Sequence, residues 1–164
     1  MTLIEQVKAK LIEYDGKDMR RICHALKVHS FAKFIAECEG VEPKLQQTIE
    51  IASLLHDIGI HNAEEKYGSA DANYQEIEGP AVAHELMKSL EISDAEKARV
   101  EYLISKHHTY EEIENEAMDY LILIEADFIV KIYEKKIEKD EVKDILERII
   151  RTETATNLVK QLYL

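Results

Sequence analysis

The chain has 164 residues, 46% of them hydrophobic and 33% charged, the profile of one soluble globular domain with a sizeable core. Its 21 Lys and Arg against 33 Asp and Glu give a formal charge of −12. That balance excludes general binding to nucleic-acid backbones or anionic membranes, because neutralising phosphates takes clustered cations. The longest apolar run, residues 120–130, is interrupted by Glu125 and Asp127 and is too short to span a bilayer. Acidic Glu5 and the lack of an apolar stretch beside it do not read as a signal peptide. A cytoplasmic protein is the expectation.

Helical periodicity runs along most of the chain and alternating strand patterns do not. Leu3, Ile4, Val7, Leu11 and Ile12 form an apolar stripe that stops at Gly16. Asp18 is placed to cap a second helix, with Ile22, Ala25, Leu26 and His29, which Gly40 ends. Within that helix Cys23 and Cys38 would lie about 22 Å apart, beyond disulfide reach. They read as small hydrophobes in a reducing compartment. Pro43 suits the first turn of a third helix carrying Ile49, Ala52, Leu55 and His56, closed by Gly59.

Periodicity fades over 60–79, which reads as a long functional loop. Pro80 opens a helix to Leu90, and Ser93-Asp94-Ala95-Glu96 has a capping-box pattern. The helix it starts holds Val100, Leu103 and Ile104 and reaches His107-His108. A long helix is expected over 116–139, with Leu121, Ile124, Phe128 and Ile132 on its buried side. Asp140 would cap a helix over 142–151, and a last one covers 153–163. Leu158, Val159, Leu162, Tyr163 and Leu164 make that end apolar enough to dock in cis, with a homodimer as the alternative. The expected fold is all-α, a single compact multi-helix bundle of about eight helices over residues 1–164.

Histidine and carboxylate placement carries the chemistry. His24 lies beside core positions, His56-Asp57 ends an apolar helix, and His107-His108 ends another. Glu125 and Asp127 interrupt an otherwise apolar helix. A buried carboxylate has to be neutralised, paired or metal-bound. Glu125 and Asp127 sit about 200° apart on a helix, so only one is expected to face inward. Taken singly, His24 reads as a hydrogen-bonded core histidine, His56-Asp57 as a helix end and His107-His108 as a surface pair. Together they make a donor set of imidazoles and carboxylates that suits divalent Mn, Fe, Co, Ni or Zn, or Mg in an oxygen-richer form.

The order His24, His56-Asp57, Asp127 resembles the H…HD…D signature of the HD-domain metal-dependent phosphohydrolases, of the bacterial single-domain type. Arg20 and Arg21 precede His24, Leu54-Leu55-His56-Asp57-Ile58-Gly59 resembles the central motif, and Glu125-Ala126-Asp127 the closing one. The resemblance is strongest over residues 18–135. It implies a divalent metal ion held by His24, His56, Asp57 and Asp127, and hydrolysis of a phosphoester or phosphoanhydride in a nucleotide or related small phosphate compound. A non-catalytic metal- or nucleotide-binding sensor of the same fold is the alternative.

The resemblance also makes Glu78, His84, His107 and His108 candidates for a second metal or for phosphate contacts, with His108 ahead of His107. Glu78 stands where relatives that cleave dinucleoside polyphosphates carry a histidine. Ile60 replaces a lysine common after the motif glycine, and Lys66 is the candidate substitute for that cation. Glu64 or Glu65 is a candidate to orient the attacking water or act as general base, Asp57 would bridge two metals if a second ion binds, and His61 is a candidate proton donor. His29 points about 140° away from His24 on a helix and reads as packing or ligand support.

Overall fold

A computed structural model describes residues 1–110, 113 and 117–164. Helix α1 (Leu3–Asp15) begins with a reciprocal cap, in which the Thr2 hydroxyl accepts from Glu5 N–H while the Glu5 carboxylate accepts from Thr2 N–H. Asp18 caps α2 (Met19–Cys38) by accepting from Arg21 N–H, and Pro43 occupies the first turn of α3 (Pro43–Leu55). The expected loop over 60–79 is instead mostly helical. Helix α4 (Ile60–Tyr67) is short and buries only Ile60 and Ala63, and α5 (Ala72–Met87) carries Pro80 inside it.

Two glycines explain how these elements fit. A Cβ on Gly59 would stand 2.5 Å from Gly79 N and 2.9 Å from Gln75 O, so α5 crosses the start of α4 backbone against backbone. Such an approach leaves no room for side chains, which is why the apolar periodicity there is weak. Pro80 has no N–H to give, and the helix continues through it because packing outweighs one missing bond.

The remaining helices are α6 (Asp94–Lys106), capped by Ser93, α7 (Met118–Glu134), α8 (Lys139–Arg148) and α9 (Glu153–Tyr163), capped by Thr152. No strand occurs among the described residues, and the architecture is all-α. The expected helix start at 116 lies outside those residues. Helix α7 stops at Glu134 rather than 139, and α8 begins before Asp140 because Glu138 takes the cap position.

Helices α2, α3 and α7 form the centre. Ala25, Ile51 and Tyr120 belong to one buried cluster, shared with α1, α5 and α6, whereas Val28, Ile49 and Ile122 belong to a second, shared with α8 and α9. Helix α9 docks in cis, burying Ala155 and Val159, and Tyr163 Oη donates to Ile129 O at 2.6 Å. Cys23 and Cys38 are exposed, not core hydrophobes, because both lie on the outer side of α2.

Glu125 and Asp127 are both buried, against the expectation that one would face solvent. Glu125 accepts from Arg151 N–H, Thr152 N–H and the Thr152 hydroxyl, and so fastens the start of α9. No helix among the described residues is long and apolar enough to cross a membrane.

Candidate metal centre

The ends of α3 and α6 use the same local device. His56 Nδ1–H donates to Ser53 O at 2.7 Å, and His107 Nδ1–H donates to Ile104 O at 2.6 Å. Each imidazole thereby satisfies a carbonyl of the last helical turn. It also leaves Nε2 as a bare lone pair aimed inward. His24, in the middle of α2, reaches the same state differently: its Nδ1 lies 2.6 Å from Glu134 Oε1, and Lys27 Nζ holds the other oxygen of that carboxylate at 2.6 Å.

The freed nitrogens converge on two carboxylates. His24 Nε2 is 3.2 Å from His56 Nε2, 3.3 Å from Asp57 Oδ2 and 3.2 Å from Asp127 Oδ1. His56 Nε2 is 3.5 Å from each of the same two oxygens. On the other side of Asp57, its Oδ1 lies 3.3 Å from His107 Nε2. Asp57 therefore belongs to two donor groups, one with His24 and His56 and one with His107 and His108.

Burial leaves several of these polar atoms without a partner. His56, His107 and Asp127 are each at most 1% exposed, and Asp57 Oδ1, Asp127 Oδ1 and His107 Nε2 have no hydrogen-bond partner. Orphaned buried acceptors of this kind carry a large desolvation penalty. In the metal-free protein a proton takes the place of the cation. Burial opposes charge on His56, yet the Asp57 and Asp127 carboxylates and the Ser53 carbonyl carry its pKa up to about 9. Burial likewise opposes charge on Asp57 and Asp127, but the neighbouring imidazoles, and Lys131 for Asp127, hold both well below the usual carboxylate range.

Lys131 and Glu134 follow Asp127 at i+4 and i+7 and so share its face of α7. Lys131 Nζ contacts Asp127 Oδ2 at 2.5 Å. Sequence reasoning missed both residues. Their signal was the spacing from Asp127, with Lys131 as the one cation inside an otherwise apolar and acidic run.

A cavity of about 410 Å³ opens beside the cluster and is lined by Arg20, Arg21, Lys131 and Lys135, with Gln75 and His108. Neither arginine forms a hydrogen-bonded ion pair with a described residue. His108 turns Nε2 to Gln75 Oε1 at 3.0 Å, while burial and the neighbouring charges of His107 and Lys131 push its pKa down to about 3. His107, rather than His108, thus presents the unpartnered nitrogen to Asp57.

The other candidates lie elsewhere. Lys66 and Glu78 are paired at 3.0 Å, Tyr67 Oη donates to the same carboxylate, and the pair occupies the α4–α5 contact rather than the cavity. Helix formation over Ile60–Tyr67 leaves Glu64 exposed on its outer face. His61 is held by Asp18 at 2.9 Å and stacks on Tyr14, and the half-exposed His84 pairs with Glu101 at 2.7 Å. His29 makes a buried pair with Glu50 at 2.9 Å.

The chain matches no protein-family model and no curated protein. Among solved structures it is similar to the 1.45 Å crystal structure of a predicted HD superfamily hydrolase from an uncultured Thermotogales bacterium. The TM-score is 0.68 at 22% identity, over 97% of this chain and 84% of that chain. The two chains share one all-α fold. In this chain His56-Asp57 stands at the end of α3, with His24 and Asp127 facing it from α2 and α7. Three imidazoles with fixed tautomers and two ionised carboxylates fit a divalent transition metal, and the sulfur-free set does not single out one ion.

Proposed function

We propose that this chain is a metal-dependent phosphohydrolase acting on a nucleotide or related small phosphate compound. The observation that supports the reading most is one juxtaposition: buried histidine and carboxylate donors lacking partners, beside a cavity lined by four cations in a chain of charge −12. A divalent ion held by His24, His56, Asp57 and Asp127 would supply Lewis acidity toward a phosphoryl oxygen and acidify a water molecule.

The chain's own residues supply the rest. Arg20 and Arg21 present guanidinium forks suited to phosphate oxygens, and Lys135 adds a point charge. Lys131, kept protonated by the Asp127 and Asp57 carboxylates despite its burial, balances the acidic cluster and borders the same cavity. Burial of His56 and Asp127 keeps bulk solvent from the donor set, so its charges act at short range.

The test is turnover by wild type and Asp57→Ala, read as phosphate release and, for products that carry no free phosphate, by chromatography, with Mn²⁺, Fe²⁺, Co²⁺ and Mg²⁺ supplied in turn. The substrates are nucleoside phosphates, cyclic dinucleotides and dinucleoside polyphosphates. Metal-dependent turnover in wild type, lost in Asp57→Ala with helical circular dichroism intact, is the expected result. Tight nucleotide binding by the metal-loaded protein with no product would instead favour a sensor of the same fold.

A further inference from the structure

Helix α7 ends in an unusual way for this chain. Ile137 N–H bonds Ile132 O at 3.1 Å and Lys136 N–H bonds Tyr133 O at 3.3 Å, the paired closure of a Schellman motif. Helix α2 ends with the same pair, Val41 to Ala36 and Gly40 to Glu37. The motif needs a left-handed residue, and glycine supplies it at Gly40 (φ 69°), as at Gly16 (φ 59°) and Gly68 (φ 67°) after α1 and α4. After α7 the residue is Lys136, at φ 51°, the one non-glycine at positive φ among the described residues. A side chain there is disfavoured by contact between Cβ and the backbone.

What Lys136 borders gives that strain a use. A second cavity of about 730 Å³ lies against the first, and Gln75, His108, Lys131 and Lys135 line both. Lys136 and Tyr110 line only the second of these two. Lys136 has no ion-pair partner among the described residues. Arg20 and Arg21 on one side, Lys131 and Lys135 in the shared wall and Lys136 beyond it form a cationic path past the metal centre. Asp71, Glu138 and Glu141 stand in the lining of the second cavity, and their repulsion limits an anionic ligand there to a short chain held by the lysines.

We infer that the second cavity is a subsite for the phosphoryl group next to the scissile one, anchored by Lys136, so that the preferred substrates carry an oligophosphate chain rather than a single phosphate. This rests on the phosphohydrolase reading and deepens it. The glycine positions elsewhere show what the backbone alone would favour, and the lysine places a free cation where a distal phosphate would lie.

The test measures calorimetric binding of inorganic tripolyphosphate and of orthophosphate, without added metal, to wild type, Lys136→Gly and Lys136→Arg, alongside thermal unfolding. Wild type is expected to bind tripolyphosphate more tightly than orthophosphate. Lys136→Gly should weaken tripolyphosphate about fivefold, leave orthophosphate unchanged, and raise Tm by about 2–4 °C; Lys136→Arg should keep the wild-type affinity. Absence of tripolyphosphate binding by wild type, or Lys136→Gly binding it as wild type does, or equal losses for both anions, overturns the inference. Binding decides the subsite and metal-dependent turnover decides the hydrolase reading, so the two can fail separately.

Discussion

His24 differs from the other inward-facing imidazoles in what orients it. His56 and His107 lean on carbonyls of their own helices, which form whenever the helix does, whereas His24 depends on a carboxylate from another helix, clamped by Lys27. A carboxylate behind a ligating histidine fixes the tautomer and raises ligand basicity. Glu134→Ala is therefore expected to weaken Mn²⁺ binding by about ten- to a hundredfold, with Glu134→Gln in between, because the amide oxygen still accepts from Nδ1–H. Isothermal titration with Mn²⁺ checks this, and unchanged affinity in Glu134→Ala would remove the orienting role. At this scale much was legible in the sequence. The resemblance to the HD-domain phosphohydrolases singled out His24, His56, Asp57 and Asp127, whereas nothing local ties Glu134, on α7, to His24, which lies on another helix.

The crossing of α4 and α5 positions one wall of the site. Gly59 ends the HD motif segment, and its contact with Gly79 brings α5 close enough for Gln75 to meet His108. Gly59→Ala would push Cβ into backbone atoms that cannot rotate away, so a loss of about 1–3 kcal/mol is expected. Urea unfolding measures it, and a midpoint equal to wild type would show that the crossing can relax. The sequence showed this region poorly. A helix packed by glycine contact needs few large apolar residues, so α4 and the first half of α5 lack the stripe that reveals α1, α3 and α7. Glu125 is a similar case, since its alternation with Asp127 predicts opposite faces, yet α7 is covered on both sides and α9 supplies the donors.

For the molecule as a whole, stability should depend jointly on metal and pH. In metal-free protein the His56 pKa stands at about 9 in the folded state against an ordinary 6.5. The stability contributed by that proton is complete below pH 6.5 and is lost as pH rises through about 9. A bound metal replaces the proton, and its competitor disappears over the same range. Thermal unfolding from pH 6 to 9 should therefore show Tm falling without metal and a Mn²⁺-induced rise that widens with pH. At Mn²⁺ a hundred times Kd the rise corresponds to about 2.7 kcal/mol, or about 5–10 °C for a chain of this size. A Mn²⁺ shift independent of pH, or one retained in Asp57→Ala, would remove the donor set from this role.

The sequence alone determined the all-α class and most helix boundaries near their caps, because periodicity and capping are local properties, and its resemblance to the HD-domain phosphohydrolases singled out His24, His56, Asp57 and Asp127 as candidate donors. Only the tertiary structure decided which groups stand around those donors. Glu134 behind His24, Lys131 on Asp127, the choice of His107 over His108 facing Asp57, and the pairing of Lys66 with Glu78 away from the cavity all join residues from different helices or different turns. Their distances follow from how α2, α3, α6 and α7 pack, and packing depends on surfaces that no single stretch of chain contains.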